Sequence, residues 1–268
     1  MKRRKAVEPW AGWGAGERAE QHYLVTPRTL AGGGNLRHIS DHLRASGWRD
    51  KSKTGGPVFL QSPDRRLRAL YDPTSAPGGW VIQGAARNHQ PAWWAHFTPQ
   101  TPVEIVAGLT DALTRPRSAH APNPWEPLRT QEWRTSTGPV HTGALSPDAT
   151  AWLRWQQTAD GSAVWWSGAK NERDETVWDA HLSASTPLDL VTALATALAS
   201  PEPVMRPRGM VPPSTRIRTT SVSVLPSQLH AWQEARVTAA RAGTWNSAAP
   251  PTRPPRPSPR TVRSKVQR

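Results

Sequence analysis

The chain contains an internal repeat, and this repeat constrains its fold more than any other feature of the sequence. The tripeptide Ser-Pro-Asp occurs twice, and the residues around each copy follow in the same order. The matched segments, first copy before second, are Leu43–Arg44 and Leu128–Arg129, Gly56–Val58 and Gly138–Val140, Ser62–Asp64 and Ser146–Asp148, Ala95–His96 and Ala180–His181, and Thr101–Pro102 and Thr186–Pro187. The separation between matched positions drifts only from 82 to 85 residues, so the sequence predicts two modules with one architecture.

Each copy changes its hydrophobic period in the same order, from helix to strands and back to helix. Leu36, Ile39 and Leu43 share a helical face before Gly47, which stands where a C-terminal cap is expected. Four strand-like runs follow, and their alternating residues are expected on the core face. These residues are Leu67, Ala69, Tyr71, Trp93, Ala95 and Phe97 in the first copy, and Ala151, Leu153, Trp155, Trp178, Ala180 and Leu182 in the second. We therefore predict an α+β fold of two tandem repeats, each an antiparallel sheet of about four strands with a C-terminal helix packed on one face.

The closing helix of each copy has an N-terminal signature. Thr101 and Thr186 are the expected N-caps, and each is followed by a proline at the first helical position. An acidic residue, Glu104 or Asp189, falls at the third position, as in a capping box. An apolar stripe follows in both copies, so we expect these helices to cover the sheets.

Composition divides the chain into four parts. We expect residues 1–20 to be a flexible leader, 21–120 the first repeat module and 121–200 the second. Residues 201–268 contain 12 of the 28 prolines and carry +10 of the net charge of +14. This composition predicts a Pro/Arg-rich, mostly disordered basic tail, with a candidate helix at 226–242.

Composition also excludes several kinds of site. The chain has no cysteine, which excludes disulfides, thiolate metal sites and cysteine nucleophiles. No run of 18 apolar residues occurs, and the basic residues Met1–Lys5 lead into a polar segment, so we expect no membrane span and a cytoplasmic protein. We expect no cofactor and no metal, because the spacings of phosphate loops, nucleophile elbows and metal-binding helices are missing.

Three features together make the chain resemble the SPDY family, known as domain of unknown function 317. They are the repeated Ser-Pro-Asp, the tryptophan in the last strand of each copy and the Thr-Pro helix start, and they cover about residues 21–200. The first copy follows the pattern further, from Ser62–Arg66 into Leu70–Asp72, whereas the second departs after Asp148. The resemblance implies the fold and an origin in filamentous actinobacteria, where the family often occurs as tandem copies. It implies no catalytic or ligand-binding residue.

The face of each predicted sheet opposite the core carries the candidate binding residues. They are Trp94 and His96 in the first copy and Trp152, Trp166 and His181 in the second, with a local concentration of charge at Arg65, Arg66 and Arg68. His96 and His181 are equivalent, so a pseudo-twofold axis would bring them together, although two histidines alone make a weak metal site. Two interpretations of the tryptophans stay open: burial between the packed outer faces of the copies, or an exposed platform that stacks a base, a sugar or a peptide.

The sequence leaves several hypotheses for function. Ser-Pro-Asp is good turn material, and its alternative is a carboxylate pair of Asp64 and Asp148 brought together by symmetry. The first hypothesis is a non-enzymatic binding protein with a Trp-rich surface and a basic tail that contacts nucleic acid through phosphates. The alternatives are an enzyme with an Asp/His-based site between the repeats, or an adaptor whose Pro-rich tail is bound by a protein partner.

Overall fold

The computed structural model describes residues 17–87, 90–115, 121–139, 141–158 and 160–248 of the 268-residue chain. Its helices are α1 (Arg37–Ala45), α2 (Val103–Ala112), α3 (Glu126–Thr130), α4 (Leu188–Ala199) and α5 (Pro226–Ala248). Its strands are β1 (Glu20–Thr26), β2 (Arg49–Asp50), β3 (Val58–Gln61), β4 (Leu67–Asp72), β5 (Gly79–Gly84), β6 (Trp93–Phe97), β7 (Arg134–Thr137), β8 (His141–Leu145), β9 (Ala151–Gln157), β10 (Ala163–Lys170), β11 (Thr176–Ser183), β12 (Val204–Pro207) and β13 (Arg218–Val224). The fold is therefore mixed α and β, as expected. The expectations for residues 1–16 and 249–268 lie outside the described residues.

Ten strands form one antiparallel sheet in the order β2-β3-β4-β5-β6-β11-β10-β9-β8-β7. Each copy supplies five neighbouring strands, and the halves join where β6 pairs with β11. His96 lies directly opposite His181 in this pair, so a local twofold axis passes between the two residues. The expectation of one sheet of about four strands per repeat is thus corrected. The last strand of each copy has backbone groups that need partners, and the two strands satisfy one another.

One face of the ten-stranded sheet is buried under helices. The predicted core residues lie on this face, and Ala69, Ala95, Phe97, Ala151, Leu153, Ala180 and Leu182 are all fully buried. Helices α2 and α4 approach closely at Gly108, where an added Cβ would lie 2.4 Å from the Cβ of Ala197. Gly108 and Ala193 are equivalent positions of the two copies, so these helices pack about the same axis as the strands.

The two closing helices begin one residue later than the sequence predicts. The residues at their N-caps are Pro102 and Pro187, and neither helix has a side-chain cap hydrogen bond. The Thr101 hydroxyl is buried without a described hydrogen-bond partner. Both carboxylate oxygens of Glu104 accept hydrogen bonds from Arg206, on another part of the chain. The predicted capping box is therefore absent from the first copy because a buried ion pair takes the carboxylate.

A second sheet has three strands in the order β12-β1-β13. Strand β1 starts the expected first module, whereas β12 and β13 belong to the segment 201–268 that composition predicts to be mostly disordered. The structure corrects that expectation for 204–207 and 218–224. Each of these strands pairs with β1, and Val25, Ala31 and Val204 form a small apolar core beneath them. Composition does not reveal such strands because they become stable only when a distant partner pairs with them.

Arg206, on β12, links the three-stranded sheet to the first copy through hydrogen bonds and an ion pair. Its two terminal nitrogens each donate to a carboxylate oxygen of Glu104 at 2.7 Å, and the side chain also donates to the carbonyls of Ala31 and Gly32. Only 2% of Arg206 is exposed. Burial alone would raise the pKa of Glu104, but the hydrogen bonds and the charge of Arg206 hold that pKa below its usual value.

Helix α5 packs on α1. It includes the candidate helix predicted at 226–242 and extends further, to Ala248. Arg236 of α5 donates to the carbonyl of His38 at 3.1 Å and to the carboxylate of Asp111 at 2.7 Å. Neither α5 nor any other helix of the described residues has the apolar length needed to cross a membrane.

Candidate functional site

The two Ser-Pro-Asp segments are tight turns that share two hydrogen bonds. In each turn the serine hydroxyl donates to the aspartate at 2.6 Å, and the backbone N–H two residues after the aspartate donates to the same carboxylate at 3.1 Å. The residue after the aspartate has a positive φ in both copies, 62° at Arg65 and 58° at Ala149. The turn interpretation is confirmed, because the carboxylates are used by the backbone around them.

The structure does not bring Asp64 and Asp148 together. Their turns join β3 to β4 and β8 to β9, which lie in opposite halves of the sheet. Six strand spacings separate the two turns, or about 29 Å at about 4.8 Å per spacing. A carboxylate pair made of these residues is therefore absent, and the enzymatic alternative loses its proposed acids.

The two central histidines are neighbours, as the pseudo-twofold predicts, but they have different partners. The Nε2–H of His96 donates to the Gly78 carbonyl at 2.7 Å. Nε2 of His181 lies 2.9 Å from the Asp179 carboxylate. No cluster of three or more histidine, cysteine or acidic side chains suited to a metal ion occurs within the described ranges. The pair therefore forms part of a surface at the junction of the two copies.

The face opposite the helices presents a row of side chains across the junction of the copies. In the strand register, Val81, His96, His181, Trp166 and Arg154 follow one another from β5 to β9. The rings of Trp166 and His181 stack with centroids 5.8 Å apart and an angle of 14° between their planes. The described helices all lie on the other side, so this open face is the largest uncovered surface of the sheet.

Cations and aromatic rings alternate on the second copy's half of the open face. The Arg154 guanidinium lies 5.7 Å from the ring centre of Trp166 and 5.8 Å from that of Trp152. The Lys170 ammonium lies 6.0 Å from the Trp152 ring, and Trp152 meets Trp166 edge to face at 5.6 Å. Such cation–π contacts hold the charged groups in place above the sheet. Trp152 itself is only 3% exposed, because its sheet neighbours cover it.

A basic groove lies on the first copy's half, where the sequence analysis singled out Arg65, Arg66 and Arg68. These arginines and Trp94 line a groove of 390 Å³ between the β3–β4 turn and β6. Trp94 is 43% exposed, and all three arginines are exposed. Arg66 contacts Asp64 only at 4.0 Å, and neither Arg65 nor Arg68 forms an ion pair with a described residue. The groove therefore combines an accessible aromatic ring with unneutralised positive charge.

The structure places all eight predicted site residues on or beside the open face. The idea that the outer faces of the copies pack together and bury the tryptophans is wrong, because the copies join edge to edge and leave their outer faces side by side. Arg154 and Lys170 are not among the residues predicted from the sequence. The spacing along the strand could have identified Arg154, since it is two residues after Trp152 and therefore on the same face of β9.

A second basic pocket on this face was also missed. Arg134, His141 and Arg154 line a pocket of 450 Å³ across β7 to β9, at the far end of the open face from Trp94. No run of adjacent basic residues marks this pocket in the sequence, because its members come from three strands. Only the strand pairing brings them together.

Comparison with known families gives one match, in two copies. The SPDY family, described as a domain of unknown function (DUF317), matches residues 61–119 and 145–204. No curated protein and no solved structure matches the chain. Each matched segment runs from the Ser-Pro-Asp turn through the closing helix, so the resemblance drawn from those motifs is confirmed.

Proposed function

Because the chain carries two tandem SPDY domains whose strands join in one sheet, we propose that it is a non-enzymatic binding protein for single-stranded nucleic acid. The ligand lies on the open face. The observation that carries the proposal is the groove of Trp94, Arg65, Arg66 and Arg68. An exposed indole stacks on any base, and the arginines, of which only Arg66 has an acidic neighbour within 4.0 Å, bind the adjacent phosphates.

The charge of the open face fits a polyanion. Its strands contribute five basic residues, Arg49, Arg68, Arg134, Arg154 and Lys170, and two acidic ones, Asp72 and Asp179. Both aspartates already accept hydrogen bonds, Asp72 from Thr74 and Asp179 from His181. Lys170 is paired with Asp174 at 2.6 Å, whereas the four arginines form no ion pair with a described residue, as expected for a surface that binds phosphates.

The face also has the length of a binding path for a strand. The basic groove at β4 to β6 and the basic pocket at β7 to β9 are about five strand spacings apart, or about 24 Å. The stacked Trp166 and His181 lie between them. A single strand that follows this path meets phosphate contacts at both ends and aromatic groups along the way.

The C-terminal segment adds a second, less specific contribution. Residues 201–268 carry +10 of the net charge of +14. A basic segment next to a binding face raises affinity for nucleic acid through counterion release, and this contribution falls steeply with salt. The adaptor alternative, in which Thr252–Arg268 is bound by a partner protein, concerns residues outside the described ones and stays a prediction.

Fluorescence anisotropy with a labelled single-stranded oligonucleotide tests the proposal on the full chain. We expect Trp94→Ala to raise Kd about tenfold, since base–aromatic stacking contributes about 1–3 kcal/mol. The triple change of Arg65, Arg66 and Arg68 to Gln is expected to lower the slope of log K against log salt by about 2, at about 0.7 per phosphate. Deletion of 249–268 is expected to lower the slope without removing the effect of Trp94→Ala.

Matched controls come from the same chain. Trp232 is 56% exposed on α5, away from the sheet, so Trp232→Ala is the control for Trp94→Ala. Arg129, Arg173 and Arg208 are exposed outside the groove, so their joint replacement by Gln controls for the loss of three charges. The proposal is wrong if Trp94→Ala and the triple variant bind as tightly as the unmodified chain, or if the controls weaken binding equally.

A further inference from the structure

A sizeable cavity lies far from the open face, on the helical side of the sheet. It has a volume of 590 Å³ and lies between the three-stranded sheet and the second copy. Its walls come from the segment after β1, from the Ser-Pro-Asp turn at 146–148, from the end of α4 and from the start of β13. Pockets of about 300–1,000 Å³ at the junction of structural units are typical of sites for small organic ligands.

The floor of this cavity is apolar. Pro27, Trp133, Pro147 and Leu198 line it, and Trp133 is only 7% exposed. Trp133 is the counterpart of Trp48 in the first copy, so the indole belongs to the shared core of both copies. A flat apolar group placed here would lose contact with water and gain contact with these side chains.

Arginines surround this apolar floor. Arg28 donates to the carbonyls of Ala197 and Glu202 at the end of α4, through three of its five N–H groups. Burial lowers the pKa of Arg28, and the charges of Glu104 and Glu202 oppose this. Arg216 and Arg218 are exposed at the entrance, and no described carboxylate forms an ion pair with them.

The acidic residue of the cavity is already engaged. Asp148 accepts hydrogen bonds from the Ser146 hydroxyl and from both the backbone and the side chain of Thr150. The cavity is therefore lined by three arginines and by one aspartate whose carboxylate already accepts hydrogen bonds within its turn. The charge balance of the cavity is positive, and its polar groups are donors for an acidic ligand.

We propose that this cavity is a binding site for a small organic anion with an apolar body. The apolar body lies against Trp133 and Leu198, and the carboxylate or sulfonate accepts hydrogen bonds from Arg216 and Arg218 at the entrance. This site is independent of nucleic-acid binding, because the cavity and the open face are on opposite sides of the sheet.

A pair of related dyes tests both halves of the proposal on the full chain. The first is 8-anilinonaphthalene-1-sulfonate, and the second is N-phenyl-1-naphthylamine, which has the same rings without the sulfonate. We expect the sulfonate to bind saturably at one site and the neutral dye to bind about tenfold more weakly, because charge-assisted hydrogen bonds to arginine are lost. Equal affinity for the two dyes would overturn the assignment of an anion.

Substitutions locate the binding. The double variant Arg216→Gln and Arg218→Gln is expected to raise Kd for the sulfonate about tenfold and to leave the neutral dye unchanged. The matched control is Arg173→Gln with Arg208→Gln, two exposed arginines that do not line the cavity. Ser200→Trp, which fills the cavity, is expected to remove both dyes while the urea midpoint stays close to that of the unmodified chain. Unchanged dye binding in the double arginine variant, or in a folded Ser200→Trp variant, would show that the site lies elsewhere.

Discussion

The two copies have the same structure where backbone geometry requires it and differ where their side chains face solvent. The serine–aspartate hydrogen bond of the Ser-Pro-Asp turn measures 2.6 Å in both copies. Close by on the sheet, the equivalent residues His96 and His181 have unlike partners, a carbonyl in one case and a carboxylate in the other. Local backbone requirements therefore preserve the turns, while the outer face is free to diverge. Divergence of that face is what gives one half a basic groove and the other an aromatic–cationic cluster.

The copies also differ in how they hold the three-stranded sheet. The first copy uses the buried ion pair of Arg206 and Glu104. The second uses hydrogen bonds to backbone carbonyls, from the Trp178 indole to Thr29 at 2.6 Å and from Arg28 to Ala197 at 3.3 Å. An ion pair removed from water is costly to break on one side, because the remaining charge stays buried. The first attachment should therefore be the more sensitive to substitution.

Arg206→Met gives the largest expected effect and tests this difference directly. We expect it to lower the free energy of unfolding by about 3–5 kcal/mol, since Glu104 would be left buried without its partner. Trp178→Phe, which removes the hydrogen bond and part of the ring, is expected to cost about 2 kcal/mol. Urea denaturation measures both. Arg208→Met is the control, because Arg208 is exposed two residues further along the chain. A larger loss for Trp178→Phe would reverse the comparison.

The second prediction concerns pH, and it separates the first copy from the second. Burial lowers the pKa of His38 to about 4, and the charge of Arg236 lowers it as well, while Glu104 and Asp111 oppose this. The pKa of His42 is also lowered, mainly by burial. The unfolded chain therefore binds protons between about pH 6.5 and pH 4 that the folded chain does not bind. The stability that depends on the two neutral histidines is fully present above this pH range and is lost as the pH falls through it.

Urea denaturation at several pH values between about 7.5 and about 4 measures this loss, because this range includes the titration of a free histidine. We expect the free energy of unfolding to fall by about 2 kcal/mol in the unmodified chain. His38→Gln should remove most of the dependence, whereas His230→Gln, an exposed change on α5, should leave it intact. The short helix α3 of the second copy carries no histidine in place of His38 or His42. A pH dependence that survives His38→Gln unchanged would locate the titration elsewhere.

The third prediction uses the equivalent positions Gly108 and Ala193 near the twofold axis. Gly108→Ala would place a Cβ 2.4 Å from the Cβ of Ala197. We expect a net loss of about 1–2 kcal/mol, since overpacking outweighs the better helix propensity of alanine. Ala193→Gly, the reciprocal change, should cost about 1 kcal/mol through helix propensity alone. Thermal unfolding of both variants compares them. A stabilised Gly108→Ala would mean that α2 and α4 are further apart than described.

The smallest effects are expected in the turns, where the copies should behave alike. Asp64→Ala and Asp148→Ala are each expected to cost about 1 kcal/mol, because each removes the two hydrogen bonds that the turns share, and Asp148→Ala removes one further bond, from the Thr150 hydroxyl. The two losses in urea denaturation should agree within about 0.5 kcal/mol. The hydrogen bond from Ser62 lowers the pKa of Asp64, so its contribution is present above the pKa of a free aspartate and is lost as the pH falls below it. A large loss for one turn alone would indicate a role for that aspartate beyond the turn.

The sequence predicted the parts of the fold that local rules decide. Alternating residues such as Ala95 and Phe97 mark a buried face because a strand has a period of two, and both are fully buried. The Ser-Pro-Asp turns follow from the backbone preferences of three adjacent residues. The candidate site was identified in part for the same reason. Trp94 and His96 lie on the outer face because Trp93 and Ala95 lie on the inner one.

Other features depended on pairings that no local rule reveals. Arg206 was part of a segment whose composition suggests disorder, yet it is 2% exposed because Glu104 neutralises it from a helix about a hundred residues away in sequence. Arg134 and Arg154 come from separate strands and meet only through the register of β7 to β9. Short strands and single charges carry little signal of their own, so their partners cannot be read from composition.

The amino-acid sequence alone thus determined the two tandem copies, their turns, their core faces and the residues of the outer face. Tertiary structure alone decided that the copies share one ten-stranded sheet, that β1, β12 and β13 form a second sheet, and that Trp94 stands beside three arginines. The reason is the range of the forces involved. Backbone preference and hydrophobic period act between neighbours in sequence, whereas edge pairing and ion pairing act between groups that only the folded chain brings together.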